Sequence, residues 1–392
     1  MADKLRILTL NAISQAGLGL LPVERYQVGS KLDDPDAVLV RSADMHAMLL
    51  PASVKAIGRA GAGTNNIPVK AMSARGVPVF SAPGANANAV KELVLAGLLL
   101  AARNLVPAVR FAQSLRGSDE DIARLVEDNK KHYAGIELPN RTLGVIGLGR
   151  IGSLVADAAI KLGMQVLGYD PEITVEAAWS LPSTVKRAGS IEEVLKSSEF
   201  VTLHVPLVAA TRHLINGERL NLMRHGSILL NFSREEVVDA DAVMAAVGAG
   251  RLKGYVCDFP SARFDGHPAI VALPHLGAST REAEDNCAVM VVDQVRDYLE
   301  CGNVRNAVNF PDVVMQRESQ YRVAIAHANV PNMLGQISTA MASAGLNIHN
   351  MLNKSKAEVA YTLVDADSPV GADAVSALAS IKGVLAVRYL PA

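Results

Sequence analysis

Ten residues, Leu143 to Gly152 (LGVIGLGRIG), constrain this chain more than any other stretch. An apolar run leads into three glycines, Gly147, Gly149 and Gly152, and Ile151, Leu154, Val155, Ala158 and Leu162 follow at helical spacing. The next apolar run, Gln165 to Tyr169, ends in Asp170, 18 residues past Gly152. Strand, glycine turn, helix and trailing acid in this register predict a dinucleotide-binding βαβ unit. Gly147 allows the tight turn, Gly149 lets the backbone approach a pyrophosphate, and Gly152 lets helix meet strand. The helix N-terminus then offers free N–H groups to phosphate. Asp170 is placed to accept from ribose hydroxyls and repel a 2′-phosphate, favouring NAD over NADP. A helix cap in Asp170-Pro171-Glu172 is the alternative reading.

The rest of the chain fits that unit. Short apolar runs at Arg6–Leu10, Ala37–Val40, Lys55–Ile57 and Val77–Phe80 read as buried strands, punctuated by Gly and Pro. From Thr142 a second set follows at Leu143–Ile146, Gln165–Tyr169, Phe200–His204, Ser227–Asn231, Tyr255–Asp258 and Ile270–Leu273, with helical patterns such as Asp239–Val247 between most of them. Alternating strands and helices argue doubly wound parallel sheets, an α/β fold. The most apolar helix candidate runs from Val90 to Val106 and is interrupted by Lys91, Glu92 and Arg103, so it reads as a buried or partner-facing helix rather than a membrane span. A long helix from Ser279 to Glu300 leads to a return strand and linker at 303–319. The last 73 residues then read βαββαβ, a ferredoxin-like order.

Net charge is −1 with no long run of one sign, which argues against a nucleic-acid footprint. Cys257, Cys287 and Cys301 have no metal-type spacing, and the N-terminus lacks a signal peptide's order, so a cytoplasmic protein is expected.

Four separated stretches, RAGAGTNNIP (59–68), LGVIGLGRIG (143–152), NFSREEVVD (231–239) and PHLGAST (274–280), together resemble the D-isomer-specific 2-hydroxyacid dehydrogenases. With GANANAVKELVLAGLLLAAR (84–103), YVCDFP (255–260) and the terminal βαββαβ, the layout is similar to the shorter 3-phosphoglycerate-oxidising members that carry a C-terminal ACT domain. That resemblance implies two Rossmann-like domains plus the ACT domain. Residues 1–85 and 286–312 would bind substrate, 86–285 would bind NAD, and 320–392 would regulate, with the active site in a cleft at the carboxyl ends of the strands.

The resemblance also implies roles. Arg234 would grip the substrate carboxylate and stabilise charge on the reacting oxygen, as a planar guanidinium can; a surface Arg paired with Glu235 or Glu236 is the alternative. His275, in the PHxG element, would take the hydroxyl proton. Besides the glycines, Arg150 and Ile151 would present backbone to the pyrophosphate. Ala62, Val205, Phe232, Ser233, Gly277 and Ala278 would line the cofactor site, and Asp258 would bond the nicotinamide amide. Arg41, Ser42, Gly61, Ala62 and Gly63 would hold the acid and phosphate ends of 3-phosphoglycerate. Lys130 and Lys131 would contribute to the phosphate, from this chain or a neighbouring subunit, with solvated surface as the alternative, and Asn86 would cap a helix or face substrate. His327, Asn329 and Asn347 match positions that bind L-serine across an ACT dimer in regulated relatives; a purely dimerising domain is the alternative. A homo-oligomer, dimer or tetramer, is implied.

One position departs from the family. A glutamate that bonds the catalytic histidine is expected five residues past Asp258, where this chain has Arg263. Three readings stay open. Asp265 supplies the carboxylate from a rearranged loop, His275 works without a partner, or catalysis has been lost.

Overall fold

The computed structural model describes residues 4–264 and 266–392. It divides into two compact units, residues 1–86 with 281–392, and residues 87–280.

Unit one opens with five short strands, β1 (Leu5–Leu10), β2 (Tyr26–Gly29), β3 (Ala37–Val40), β4 (Ala56–Arg59) and β5 (Val79–Phe80). They form one parallel sheet in the order β2-β1-β3-β4-β5. β3 is buried at every residue, so it reads as a continuous apolar run, as a central parallel strand does. Tyr26–Gly29 carries no such run: it is an edge strand with two exposed residues, and periodicity does not reveal it. Two short helices, α1 (Gln15–Leu18) and α2 (Val69–Ala74), lie in this stretch.

Unit two begins with α3 (Ala87–Ala102) and α4 (Leu105–Ser114), which meet at 64°. The single helix expected over Val90–Val106 is therefore broken. Asn104 takes a left-handed conformation (φ 50°) and its side chain donates to the Ala134 carbonyl, ending α3. α5 (Asp119–Asn129) follows, opened by a capping box between Ser118 and Asp121. No residue of α4 or α5 is buried. No single helix among the described residues is long and apolar enough to cross a membrane.

Seven parallel strands form the centre of unit two: β6 (Thr142–Ile146), β7 (Gln165–Tyr169), β8 (Lys186–Arg187), β9 (Phe200–Leu203), β10 (Ser227–Asn231), β11 (Leu252–Cys257) and β12 (Ile270–Ala272). Their order is β12-β11-β10-β9-β6-β7-β8. Helices α6 (Arg150–Lys161), α7 (Val175–Trp179), α8 (Ile191–Ser197), α9 (Gly217–Leu222) and α10 (Ala240–Gly248) connect them. Apolar clusters cover both faces, one around Leu143, Val155 and Phe232, the other around Leu203, Leu229 and Tyr255. Strand order reverses between β6 and β9, the kind of point where open α/β sheets bind ligands.

The chain returns to unit one through α11 (Arg281–Cys301). Between α11 and the terminal sheet, pairing is limited to isolated bridges, Phe80 with Ala307 and Val304 with Val313, instead of a full return strand. The C-terminal stretch is β13 (Tyr321–Ala328), α12 (Met333–Ser343), β14 (Ile348–Lys356), β15 (Val359–Ala366), α13 (Ala372–Ser380) and β16 (Val384–Pro391). This is the expected βαββαβ order on an antiparallel sheet, β14-β15-β13-β16.

Both faces of that sheet are used. Val323, Ile325 and Val364 face the two helices. Ala324, Ala326, Tyr361 and Leu363 join the core built on Ile7, Leu39 and α11. On this second face Arg322 is wholly buried, and all five of its N–H groups donate: to both oxygens of Asp365 (2.6 and 2.9 Å) and to the carbonyls of Cys301, Met315 and Gln316. The pair therefore ties sheet to linker. Burial alone would raise the Asp365 pKa, but the Arg322 hydrogen bonds and the Glu318 amide outweigh it and hold the carboxyl below its usual value. Its stabilisation is present above the ordinary carboxylate range and is lost as pH falls. Asp365→Asn should cost about 3–5 kcal/mol of stability near neutral pH, because it strands a buried guanidinium. Its urea midpoint should also vary less with pH between neutrality and the acid range than the wild type's, and equal midpoints at neutral pH would refute the assignment.

Candidate active site

At the switch point the glycine turn packs backbone on backbone. A Cβ on Gly152 would stand 1.9 Å from the Gly147 carbonyl oxygen, and one on Gly147 (φ 91°) would stand 2.5 Å from the carbonyl oxygen of His204. A Cβ built on Gly149 would meet nothing within 4 Å. Gly149 is also the N-cap of α6 and supplies no side-chain cap, so the first amides of that helix face open space. The residues present fit a pyrophosphate: two glycines close the turn and the third leaves room in front of it. Val205 packs against Gly147, while Phe232 packs on Gly97 in α3. Arg150 is exposed, Ile151 joins the core, and Gly277 is buried beside exposed Ala278.

Asp170 is engaged locally through both carboxylate oxygens. One carboxylate oxygen accepts from the Leu148 amide inside the turn (2.8 Å), the other from Glu172 (2.9 Å), the cap-like turn. Each oxygen keeps a further lone pair for a ribose hydroxyl. His204 sits across the turn. Its Nε2 lies 3.0 Å from Thr202 Oγ1 and its Nδ1 is buried without a partner. Burial pushes its pKa down to about 3, so the ring is neutral at physiological pH.

The reactive candidates follow three neighbouring strands, β10, β11 and β12, at their carboxyl ends. Arg234 comes after β10. Buried Asn231 builds its loop: its Oδ1 accepts from the amide (3.1 Å) and hydroxyl (2.9 Å) of Ser233, and its Nδ2 donates to the Arg234 carbonyl (2.9 Å). The exposed Arg234 guanidinium donates to the Ser233 carbonyl, not to Glu235 or Glu236, while Glu236 faces Arg212. Asp258 comes after β11 and is buried. Its two oxygens accept from the Leu276 and Gly277 amides at 2.7 Å each. It therefore holds the loop carrying His275, whose backbone is left-handed (φ 57°), an uncommon state for a non-glycine residue that local over-determination sustains. The exposed His275 ring meets Phe259 edge to face, centroids 5.4 Å apart.

Arg263 turns to the solvent side and pairs with Asp241 of α10 at 3.5 Å. Asp265 lies outside the described residues.

In unit one, Arg41 follows β3 and Arg59 ends the neighbouring strand β4. Arg41 donates to Glu284 (2.5 Å), and Arg59 Nε donates to the Arg41 carbonyl (3.1 Å) beside the Gly61–Gly63 loop. Ser42 is exposed, its amide held by Asn11. Asn86 immediately precedes α3, and Lys130 and Lys131 lie exposed on a 3₁₀ turn after α5, with Lys130 paired to Glu127. Sequence reasoning missed Arg59, Asn231 and Glu284. The signal for Arg59 was available: it closes an apolar strand, much as Arg41 follows one.

His327 is buried, with Nδ1 2.9 Å from the Ala328 carbonyl and Nε2 2.9 Å from Thr362 Oγ1. Asn329 lies at that end of the sheet, its side chain donating to the Ala357 carbonyl. Asn347 lies at the opposite end, next to Asp367, so one chain does not bring the three together.

Residues 95–277 match the family model described as the NAD-binding domain of D-isomer specific 2-hydroxyacid dehydrogenases. Two D-3-phosphoglycerate dehydrogenases are similar. The one from Haemophilus influenzae is 30% identical over 99% of this chain and 98% of its own length. The one from Methanocaldococcus jannaschii is 33% identical over 88% of this chain, which spans 64% of that relative. Among solved structures, the TT0316 protein of Thermus thermophilus aligns with a TM-score of 0.63 at 27% identity, covering 77% of this chain and 99% of that one. The NAD+-bound 3-phosphoglycerate dehydrogenase of Entamoeba histolytica shares the fold, with a TM-score of 0.62 at 24% identity over 78% and 99% of the two chains. The chain belongs to the D-isomer specific 2-hydroxyacid dehydrogenase family. NAD is the dinucleotide of this dehydrogenase's matched module.

Asp170→Asn should weaken NADH binding about tenfold, the loss of a charge-assisted hydrogen bond, and narrow the preference over NADPH. Energy transfer from Trp179, the sole tryptophan, to the reduced nicotinamide provides the titration. Unchanged affinity for both cofactors would remove Asp170 from the site.

Proposed function

We propose that this dehydrogenase oxidises the 2-hydroxyl of D-3-phosphoglycerate to give 3-phosphohydroxypyruvate, the entry step of L-serine synthesis. The observation that carries the reading is the row of Arg234, Asp258 and His275 after three adjacent strands of an NAD-binding sheet. The names of the similar curated proteins support the phosphorylated substrate.

The roles follow from chemistry. NAD, when bound, accepts the hydride from the carbinol carbon. His275 takes the hydroxyl proton, from a ring that is exposed and whose loop Asp258 fixes. Arg234 grips the carboxylate and steadies the oxygen as charge shifts on it, presented by the Asn231-built loop. Arg41, Arg59 and the Gly61–Gly63 loop receive an acid end of the substrate.

A second reading, another D-2-hydroxy acid as substrate, is favoured by Glu284, which already occupies Arg41. The engagement of Arg263 with Asp241 weighs against a non-catalytic protein, since its charge is drawn away to α10. We further propose that a second copy of the chain covers α4 and α5, which bury nothing and expose Leu105, Val109 and Val126. L-Serine regulation would then need two chains, Asn347 of one meeting Asn329 of the other, with His327 opened from its enclosure. Three free thiols suit a reducing cytoplasm.

With NAD and D-3-phosphoglycerate the protein should form NADH, and no NADH at any pH would sink the enzyme reading. His275→Asn should lower kcat/KM by about 10²–10⁴-fold. His204→Asn should leave the pH of half-maximal rate in place, because His204, held near 3, carries no proton in the working range.

A further inference from the structure

The acid-binding corner of unit one contains a carboxylate that the proposed chemistry does not use. Arg41 Nη2 donates to Glu284 Oε1 at 2.5 Å, and both side chains are about two-fifths exposed (38% and 41%). Arg59 is part of the same corner through its bond to the Arg41 carbonyl, and its guanidinium lies so close to Gly61 that a Cβ there would stand 1.9 Å from Nη1. Cys287, one turn along α11 from Glu284, is buried next to the same three charges; burial pushes its thiol up, and Arg59 and Arg41 oppose that shift. Two guanidiniums and one carboxylate therefore meet at the corner.

We propose that Glu284 is the specificity-determining residue of this corner: it orients Arg41 and cancels one charge, so that singly charged acid ends are favoured relative to phosphate. The proposal rests on the dehydrogenase reading above. A carboxylate bound through Nη2 leaves the remaining edge of the Arg41 guanidinium free to meet a ligand, in an orientation the ion pair has set. A phosphate dianion loses more than a carboxylate does when one positive charge it approaches is cancelled, because Coulomb energy scales with the product of charges. The competing view makes Glu284 a helix-terminal acid that only complements the dipole of α11. Glu282, in the same first turn, is the internal control for that view.

The test uses the full chain saturated with NADH, with D-glycerate and D-3-phosphoglycerate as probes. Calorimetry gives the ratio of their affinities, and turnover with NAD gives KM and kcat for each. Glu284→Gln should raise the ratio in favour of the phosphorylated acid by about tenfold at low ionic strength and by less at high salt, since the corner is part-exposed. The change should fall on KM, and Glu284→Asp should restore the wild-type ratio. Glu282→Gln should leave it unmoved. An unchanged ratio in Glu284→Gln, an equal shift in Glu282→Gln, or no binding of either acid to any variant would each overturn the proposal. Absence of NADH formation by the wild type would overturn the dehydrogenase reading instead, while the calorimetric ratio still decides the role of Glu284.

Discussion

Close backbone contact at the glycine turn is the constraint on which unit two depends. Gly152 lies against the Gly147 carbonyl, and Gly147 lies against the carbonyl of His204. These contacts bring β6, α6 and the exit of β9 together at the point where the strand order reverses. Any side chain at either position would need to displace main chain, which cannot give way as a flexible side chain does. The open space before Gly149 and the uncapped start of α6 follow from the same geometry. So does the Asp170 contact, since its carboxylate reaches the Leu148 amide only when the turn is closed.

The loops of the two candidate reactive side chains, Arg234 and His275, are each held by a buried polar residue at the carboxyl end of the same sheet. Asn231 uses both ends of its amide to shape the Ser233–Arg234 loop, and Asp258 uses both oxygens to shape the loop after His275. Buried polar groups are costly unless satisfied, so these contacts specify one loop geometry. The consequence bears on Arg263. Backbone amides tied to Asp258 hold the His275 loop, so the loop does not need the side chain at position 263 to keep its shape. The positive charge at that position is meanwhile partnered by Asp241.

Much of this fold is legible in the sequence alone. Local signals carry it: three glycines at fixed spacing, Asp170 at the end of a run, and apolar strands that stay buried on both faces. Arg234 and His275 were legible only because their motifs match a family. What escaped depends on partners distant in sequence. Glu284 meets Arg41 across 243 residues, and Arg322 finds Asp365 across 43. The break at Asn104 turns on a bond to Ala134, which helical periodicity over 90–106 does not register. Edge strand β2 lacks the apolar run that marks its neighbours, and α4 and α5 lack a buried face to pattern. The motif singles out Asp258, but not its hold on the loop 18 and 19 residues later.

The C-terminal sheet shows how one strand can serve two cores. Along β13, Val323 and Ile325 pack under the helices while Arg322, Ala324 and Ala326 turn towards α11 and the linker. A sheet with one free face would place a polar residue outward at each second position. Along β13 that face is apolar except for Arg322, which is buried and saturated by five acceptors, two of them the oxygens of Asp365 on the neighbouring strand β15. Arg388 adds to the join: it lies over the Tyr298 ring at 4.5 Å and donates to the carbonyls of Tyr298 and Leu299, closing the last turn of α11. The same helix begins with Glu284 on Arg41. One 21-residue helix thus has its carboxyl end capped by the terminal sheet and its first turn tied to Arg41. Within unit one the terminal sheet is therefore part of the body that positions Arg41, and the core they share leaves no seam at which the sheet could swing without exposing Arg322.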